Sequence, residues 1–485
     1  MSSGLVAEIP VGHKGRNMKK RVIIIGWDCA APELVFEAFK DDMPNTHRLM
    51  QEGIYGELES TIPPITVPAW MCMMTSRDPG ELGIYGFRNR SDYSYNALTI
   101  ANVHAVQVPR LWDLLGQAQK RSVVLGVPLT YPAKPFPGWM VTSFLTPCDL
   151  NSPLTQSNLQ WTFPPRLTRE IAQVAPDYMI DIPNFRTDKR AELEQQLLKM
   201  TRERFKFARY LLQKKAWDFF MMVEMGSDRL HHAFWRFWDK THPKYEPNSP
   251  FTATMRNYYR TLDEELGQML AYIDDDTTIM IVSDHGAKRM DGGICVNEWL
   301  QKHGYLTLKT EPQGITRFTT EMVDWQQTKA WGEGGYYARI FINVEGREPH
   351  GTVKAKDYEG VRDELKMQLE AIVDESGQNI NTRVFKPEEV YRECRNIAPD
   401  LIVYFGDLFW RSVGSVGYNS IYTYENDTGP DDCNHAEMGL FIIKDGRQKR
   451  GLVPTKSLYD IAPTVLNEFG IDIPPAMRGQ PIADI

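Results

Sequence analysis

The sequence predicts an α/β protein, a three-layer α/β/α fold with a largely parallel central sheet and cap insertions, and three observations carry that prediction. Residues 21–26 read Arg-Val-Ile-Ile-Ile-Gly, a continuous β-branched run of the kind that parallel sheets bury on both faces. Two later apolar runs, 217–224 and 278–282, give way in the same manner to short polar segments that carry Asp and His. A helical pattern lies between them, with Met255, Tyr258, Leu262, Leu266, Met269 and Ile273 recurring at three- and four-residue steps over 253–273 as a core-facing stripe.

Composition narrows the function classes. With 485 residues, 42% hydrophobic and 24% charged, the chain is an ordinary globular sequence, long enough for one large domain with insertions. A net charge of −8, a pI near 5.8 and no basic run longer than Lys19-Lys20-Arg21 argue against a nucleic acid polymer as partner. Six cysteines, Cys29, Cys72, Cys148, Cys295, Cys394 and Cys433, lack Cys-x-x-Cys spacing and read as reduced thiols rather than a disulfide framework. The first seventeen residues contain no apolar targeting core, and no stretch approaches the length that spans a bilayer, so the expectation is a cytoplasmic protein without a membrane segment. Residues 1–17 read as a flexible extension, and 18–485 as a single domain with insertions at about 90–200, a cap or lid, and at about 310–395.

Taken in order, the first strand ends in Gly26-Trp27-Asp28. Asp28 then lies at a strand's carboxyl end, the edge where open α/β sheets bind ligands, and is a candidate metal ligand; an Asx-turn or a helix cap for the next segment is the structural alternative. Residues 44–58 supply a helix and a short strand. Pro63 and Pro64 fix an extended approach, and Pro68 with the apolar run after it opens a buried helix, so Thr66 sits at or just before a helix N-terminus. Free backbone N–H groups there favour a tetrahedral oxyanion beside the hydroxyl, although a threonine at that position also serves as a plain cap.

The stretch 88–200 is rich in Pro, Tyr and Asn, with a strand at 122–126. A helix over 187–215 leads to the strand 217–224 and on to Asp228 and His232, four apart on the following helix and able to reach one metal ion. His231 points elsewhere, as a structural or substrate-facing residue. The strand Thr278–Val282 is followed by Asp284-His285, adjacent ligand types at a strand's carboxyl edge. Glycines around Glu333 permit close backbone approach or a simple hairpin, and an amphipathic helix follows near 356–373. The strand 400–405 and the segment 434–443, with His435 ahead of its buried run, are expected to complete the sheet, and a helix over 457–469 closes the chain. Three Asp, three His and one hydroxyl, Asp28, Thr66, Asp228, His232, Asp284, His285 and His435, suit two zinc-like ions with mixed oxygen and nitrogen ligands.

With Gly-Trp-Asp28, Thr66-Val-Pro-Ala-Trp, Gly-Ser-Asp228-Arg-Leu-His-His232, Ser-Asp284-His285-Gly and Asn-His435-Ala-Glu-Met-Gly in this order, the chain resembles the alkaline phosphatase superfamily, in its type I phosphodiesterase/nucleotide pyrophosphatase branch. The resemblance implies an alkaline-phosphatase-like fold and two divalent ions, zinc first with manganese tolerated. It implies that Asp28, Asp284 and His285 hold one ion beside the nucleophile Thr66, and that Asp228, His232 and His435 hold the other. The activity it implies is a phosphodiesterase that acts on a small phosphate ester through a phosphothreonine. The alternatives are a phosphomonoesterase or phosphomutase, and a non-catalytic phospho-ligand binder. Arg88, Arg229 and Lys288 are candidate substrate contacts. Two departures stand out: Leu82-Gly83-Ile84 replaces the family's frequent His-Gly-Ile, and Tyr85-Gly86-Phe87 lacks the Asn with which nucleotide pyrophosphatases hold a phosphate oxygen. The Thr66-Val-Pro-Ala-Trp frame cannot supply a sulfatase's formylglycine.

Overall fold

An uncharged run such as Val22–Trp27 (β1) is stable as a strand only where both of its faces are covered. In the computed structural model, which describes residues 20–482 apart from 153, 155–156 and 447–449, all six of its residues are buried. The extension read at 1–17 lies outside the described residues.

β1 is central to a ten-stranded sheet with Ile54–Glu59 (β2), Ser122–Leu125 (β3), Gly138–Val141 (β4), Thr162–Phe163 (β5), Phe219–Glu224 (β6), Thr278–Val282 (β7) and Met438–Lys444 (β8). The order runs Gly451–Leu452, β2, β8, β7, β1, β6, β3, β4, β5, and Lys456–Ser457 also pairs with β2. From β7 to β4 every pairing is parallel, whereas β8 is antiparallel to both β2 and β7. Gly26 of β1 is in register with Val223 of β6 and Val282 of β7, so three strands end level at one edge.

Two helix groups account for the covered faces. Pro44–Glu52 (α1), Arg190–Lys214 (α3), Gly226–Trp238 (α4) and Thr254–Leu270 (α5) pack on one another, and Thr66–Thr75 (α2) packs with Ile461–Glu468 (α6). Among the described residues no helix is long and apolar enough to cross a membrane, and the six cysteines are unpaired.

The run at 400–405 does not join this sheet. Leu401–Tyr404 belongs to a separate four-stranded sheet with Ala330–Glu333, Ala338–Ile342 and Arg383–Phe385, over a second apolar core that includes Leu401 and Val403. A short apolar run shows that a strand is buried but not in which sheet. The segment 434–443 also divides: Cys433–Ala436 pairs with Gly286–Arg289, and only β8 enters the main sheet.

One buried carboxylate ties α5 to the start of α1. The residue before α1, Met43, makes no side-chain cap. Asp263 on α5 takes that role: Oδ1 accepts from Thr46 N at 2.7 Å and Thr46 Oγ1 at 2.6 Å, and Oδ2 from Asn45 N at 3.1 Å and Asn45 Nδ2 at 3.0 Å. Asp263→Ala is expected to destabilise the chain by about 2–4 kcal/mol, because it leaves two buried donors of Thr46 and two part-buried donors of Asn45 without a charged acceptor. Urea unfolding checks this, and a loss below about 1 kcal/mol would mean that water replaces the carboxylate.

Candidate active site

The level ends of β1, β6 and β7 bring Asp28, Asp228 and the Asp284-His285 pair to one edge, and the β-pairing of Cys433–Ala436 with Gly286–Arg289 carries His435 to the same place. All of these residues are buried. Asp28 caps no helix; its Oδ2 accepts from Trp70 Nε1 at 2.6 Å. Trp70 can lie across the strand because Gly26 has no side chain: a Cβ there would sit 2.4 Å from the indole ring. Thr66 is the first residue of α2, with Ile65 in the cap position, and its Oγ1 lies 3.3 Å from His285 Nε2 rather than folding back on the backbone.

The three histidines share one arrangement. Nδ1 of His285 faces Gly286 O at 3.1 Å, that of His232 faces Asp431 Oδ1 at 2.7 Å, and that of His435 faces Pro64 O at 2.8 Å. Each Nδ1 therefore carries the proton, and in the neutral ring each Nε2 presents its lone pair. The Nε2 atoms converge. Those of His232 and His435 are 3.3 Å apart, and they lie 3.4 and 3.6 Å from Asp228 Oδ1. His285 Nε2 lies 3.3 Å from Asp284 Oδ2 and 3.9 Å from Asp28 Oδ1. Among the described residues those same three carboxylate oxygens have no hydrogen-bond partner.

A buried cluster of acceptors facing acceptors is stable only with cations among them. The protonation pattern expresses the same demand. Burial, then the charge of Asp228, pushes the Asp28 carboxyl well up, and burial with Asp28 does the same to Asp284. Burial would raise Asp228 as well, but His232 and Arg229 outweigh it and hold that group well below the usual range. Burial pushes His285 down to about 4 and His435 lower than usual, whereas for His232 it is outweighed by Asp431 and Cys433, which raise it.

Three carboxylates, three imidazoles and a hydroxyl fit divalent ions of intermediate softness. Asp228, His232 and His435 offer ligand atoms within 4.8 Å of one another, as do Asp28, Asp228 and His285, so Asp228 borders both groups.

Two neighbours of these candidate ligands are not identified by the sequence reading. Asp431 supports His232 from behind, and Tyr336 stacks on His435 and His232 with ring centroids 4.2 and 4.9 Å away. Asp431 stands four residues before His435, a spacing that could have drawn attention; Tyr336, in a Gly-Gly-Tyr-Tyr segment, carries no comparable signal.

The remaining sequence candidates lie as follows. Arg229 is buried, with Nε and Nη2 on Asp181 at 3.0 and 2.7 Å and Nη1 on Asp228. Arg88 is exposed on the short strand Arg88–Arg90, and Lys288 Nζ donates to Asp407 O at 2.9 Å. His231 is structural, its Nε2 2.9 Å from Tyr259 Oη. Asn89, three residues after Gly86, closes its own loop: Oδ1 accepts from Tyr85 N at 2.7 Å, and Nδ2 donates to Gly86 O at 3.0 Å.

A family model described as type I phosphodiesterase / nucleotide pyrophosphatase matches residues 22–431. No curated protein sequence matches the chain. Among solved structures, human ectonucleotide pyrophosphatase/phosphodiesterase 5 is similar at a TM-score of 0.52 and 14% identity, over 95% of this chain and 97% of that one. Phosphonoacetate hydrolase from Sinorhizobium meliloti 1021, in complex with phosphonoformate, is similar at a TM-score of 0.55 and 14% identity, over 92% and 94%. An inactive threonine-to-alanine variant of the murine ectonucleotide enzyme, in complex with AMP, is similar at 0.51 and 12%, over 94% and 96%. The large, mostly parallel sheet therefore has an alkaline-phosphatase-like architecture.

Proposed function

The chain belongs to the type I phosphodiesterase/nucleotide pyrophosphatase family of metal-dependent phosphoryl hydrolases, and on that footing we propose a two-metal phosphodiesterase acting through a phosphothreonine at Thr66. The observation that carries this is the convergence of three carboxylate oxygens and three imidazole Nε2 atoms beside a hydroxyl at a helix N-terminus. Asp28, Thr66, Asp284 and His285 would hold one ion, and Asp228, His232 and His435 the other, as zinc or manganese. When bound, the ions lower the pKa of the hydroxyl and of water and neutralise charge on the non-bridging oxygens.

Thr66 Oγ1 attacks phosphorus in line: its bond to phosphorus forms as the opposite ester bond breaks, and the alcohol departs. Water then cleaves the phosphothreonine and restores the hydroxyl. The first-turn N–H groups of α2 lie beside the developing oxyanion. Gly286 O, Asp431 and Pro64 O fix the three imidazoles with Nε2 inward, and Trp70 orients Asp28. Arg229 serves mainly to hold Asp228, while exposed Arg88 is free to meet substrate. The segment at about 90–200, which also supplies β3, β4 and β5 to the main sheet, and the segment at about 310–395 would frame a small phosphate ester. The AMP bound by one structural neighbour, itself a small phosphate ester, supports that substrate class.

Protein stripped of metal and refilled with zinc or manganese should bind two ions per chain. It should hydrolyse a chromogenic phosphate diester at least about 10-fold better in kcat/KM than the monoester, a difference of about 1.4 kcal/mol. A monoester preference would transfer the assignment to a phosphatase or mutase, and no turnover of either substrate would remove it.

A further inference from the structure

Asp431 gathers partners from distant parts of the chain. It is fully buried in side chain; Oδ1 accepts from His232 Nδ1 at 2.7 Å, and Oδ2 accepts from Arg186 Nε at 2.9 Å and Arg411 Nη1 at 3.3 Å. Arg186 lies in the segment between β5 and α3. Its Nη2 donates to the hydroxyl of Tyr336, and its guanidinium stacks on Phe185 at 4.6 Å. Tyr336, from beyond Ala330–Glu333, lies nearly parallel to His435 and His232, at 24° and 20°, and its carbonyl accepts from Asn434 Nδ2 at 2.9 Å. The Phe185 ring also sits 5.9 Å from His232. The same two segments therefore touch both histidines of one proposed ion.

A carboxylate can rotate about its side-chain axis, and a partner's grip on one oxygen decides where the other points. Arg186 and Arg411 on Oδ2 aim Oδ1 at His232 Nδ1, which fixes the tautomer and the ring plane. Tyr336 limits the tilt of His435 and is itself held by Arg186. Given the two-ion site proposed above, on which this rests, we propose that Arg186 and Tyr336 are positioning residues that couple seating of the segment between β5 and α3 to metal affinity. The coupling is reciprocal: if the seated segment tightens the ion at His232, the ion tightens the seating by the same factor. A residue that merely tethers the segment would alter stability and leave metal affinity alone.

The experiment is zinc titration of the metal-free full chain against a competing chelator, for the wild type, Arg186→Gln and Tyr336→Phe, with His232→Ala as reference. Tryptic cleavage after Arg166, Arg169 and Lys189, the sites within 164–189 that every variant keeps, is followed with and without zinc. Arg186→Gln should weaken one of the two ions about 10–100-fold and leave the other within about threefold; Tyr336→Phe, which keeps the stacked ring and the fold, should weaken the same ion by less. Zinc should slow tryptic cleavage of that segment in the wild type and lose most of this effect in Arg186→Gln. Wild-type affinity for both ions in both variants would overturn the coupling. A wild type that holds fewer than two ions, or a His232→Ala that loses none, would instead overturn the two-ion site.

Discussion

Thr66→Ala is expected to lower kcat on a phosphate diester by at least about 1,000-fold, because loss of a covalent nucleophile removes both half-reactions at once. The six other proposed ligands remain, so metal content should fall little. Thr66 Oγ1 lies 3.3 Å from His285 Nε2, and alanine fits the first turn of α2 without strain, so the loss would reflect chemistry rather than folding. Thr66→Ser, which keeps the hydroxyl but frees its rotation, should retain activity within about 100-fold of wild type. Steady-state kinetics and the intact mass of acid-quenched enzyme provide the check. Wild type should carry a phosphoryl adduct on Thr66 and Thr66→Ala should carry none. More than a tenth of wild-type kcat in Thr66→Ala would eliminate the phosphothreonine.

Gly26→Val should damage both the fold and the site, because Gly26 lies against the ring that contacts Asp28. A Cβ at Gly26 would meet the Trp70 ring at 2.4 Å and a Val223 methyl at 3.1 Å, and valine adds two more methyls in the same space. Overpacking of this kind costs about 1–3 kcal/mol where neighbours can shift. Here Trp70 is fully buried, so the upper end is expected. If Trp70 moves, its Nε1 leaves Asp28, and the ion proposed there loses an orienting contact. Urea unfolding should show the destabilisation, and activity well below the unfolding midpoint should fall with it. Wild-type activity in a destabilised variant would mean that Trp70 does not set the Asp28 geometry.

The proposed ligands are readable in the sequence because they belong to local patterns. Asp28 and Asp284-His285 follow apolar strands, Asp228 and His232 are one helical turn apart, and Thr66 precedes a proline in a buried helix. The backbone alone settles their placement, since strand register and helix phase follow from sequence periodicity. Tyr336 depends instead on where a loop packs, which no spacing encodes, and the four-residue step from Asp431 to His435 does not reveal that Asp431 pairs with His232. The same limit explains Leu401–Tyr404, whose apolar run fits either sheet until the neighbours are known. Arg229 shows the converse: adjacent to Asp228 in sequence, it resembled a substrate contact, yet Asp181, 48 residues away, takes two of its nitrogens.

The place of β8 bears on how the chain is made. This strand comes from residues 438–444 yet lies between β2 and β7, inside the sheet. During synthesis, about 380 residues must emerge after β2 before its inner edge is paired. Until then β2 and β7 both expose open edges able to recruit a strand from another molecule. A message truncated just before β8 would yield nearly the whole protein with its sheet split, a species expected to aggregate or be degraded rather than to persist as a partly working enzyme.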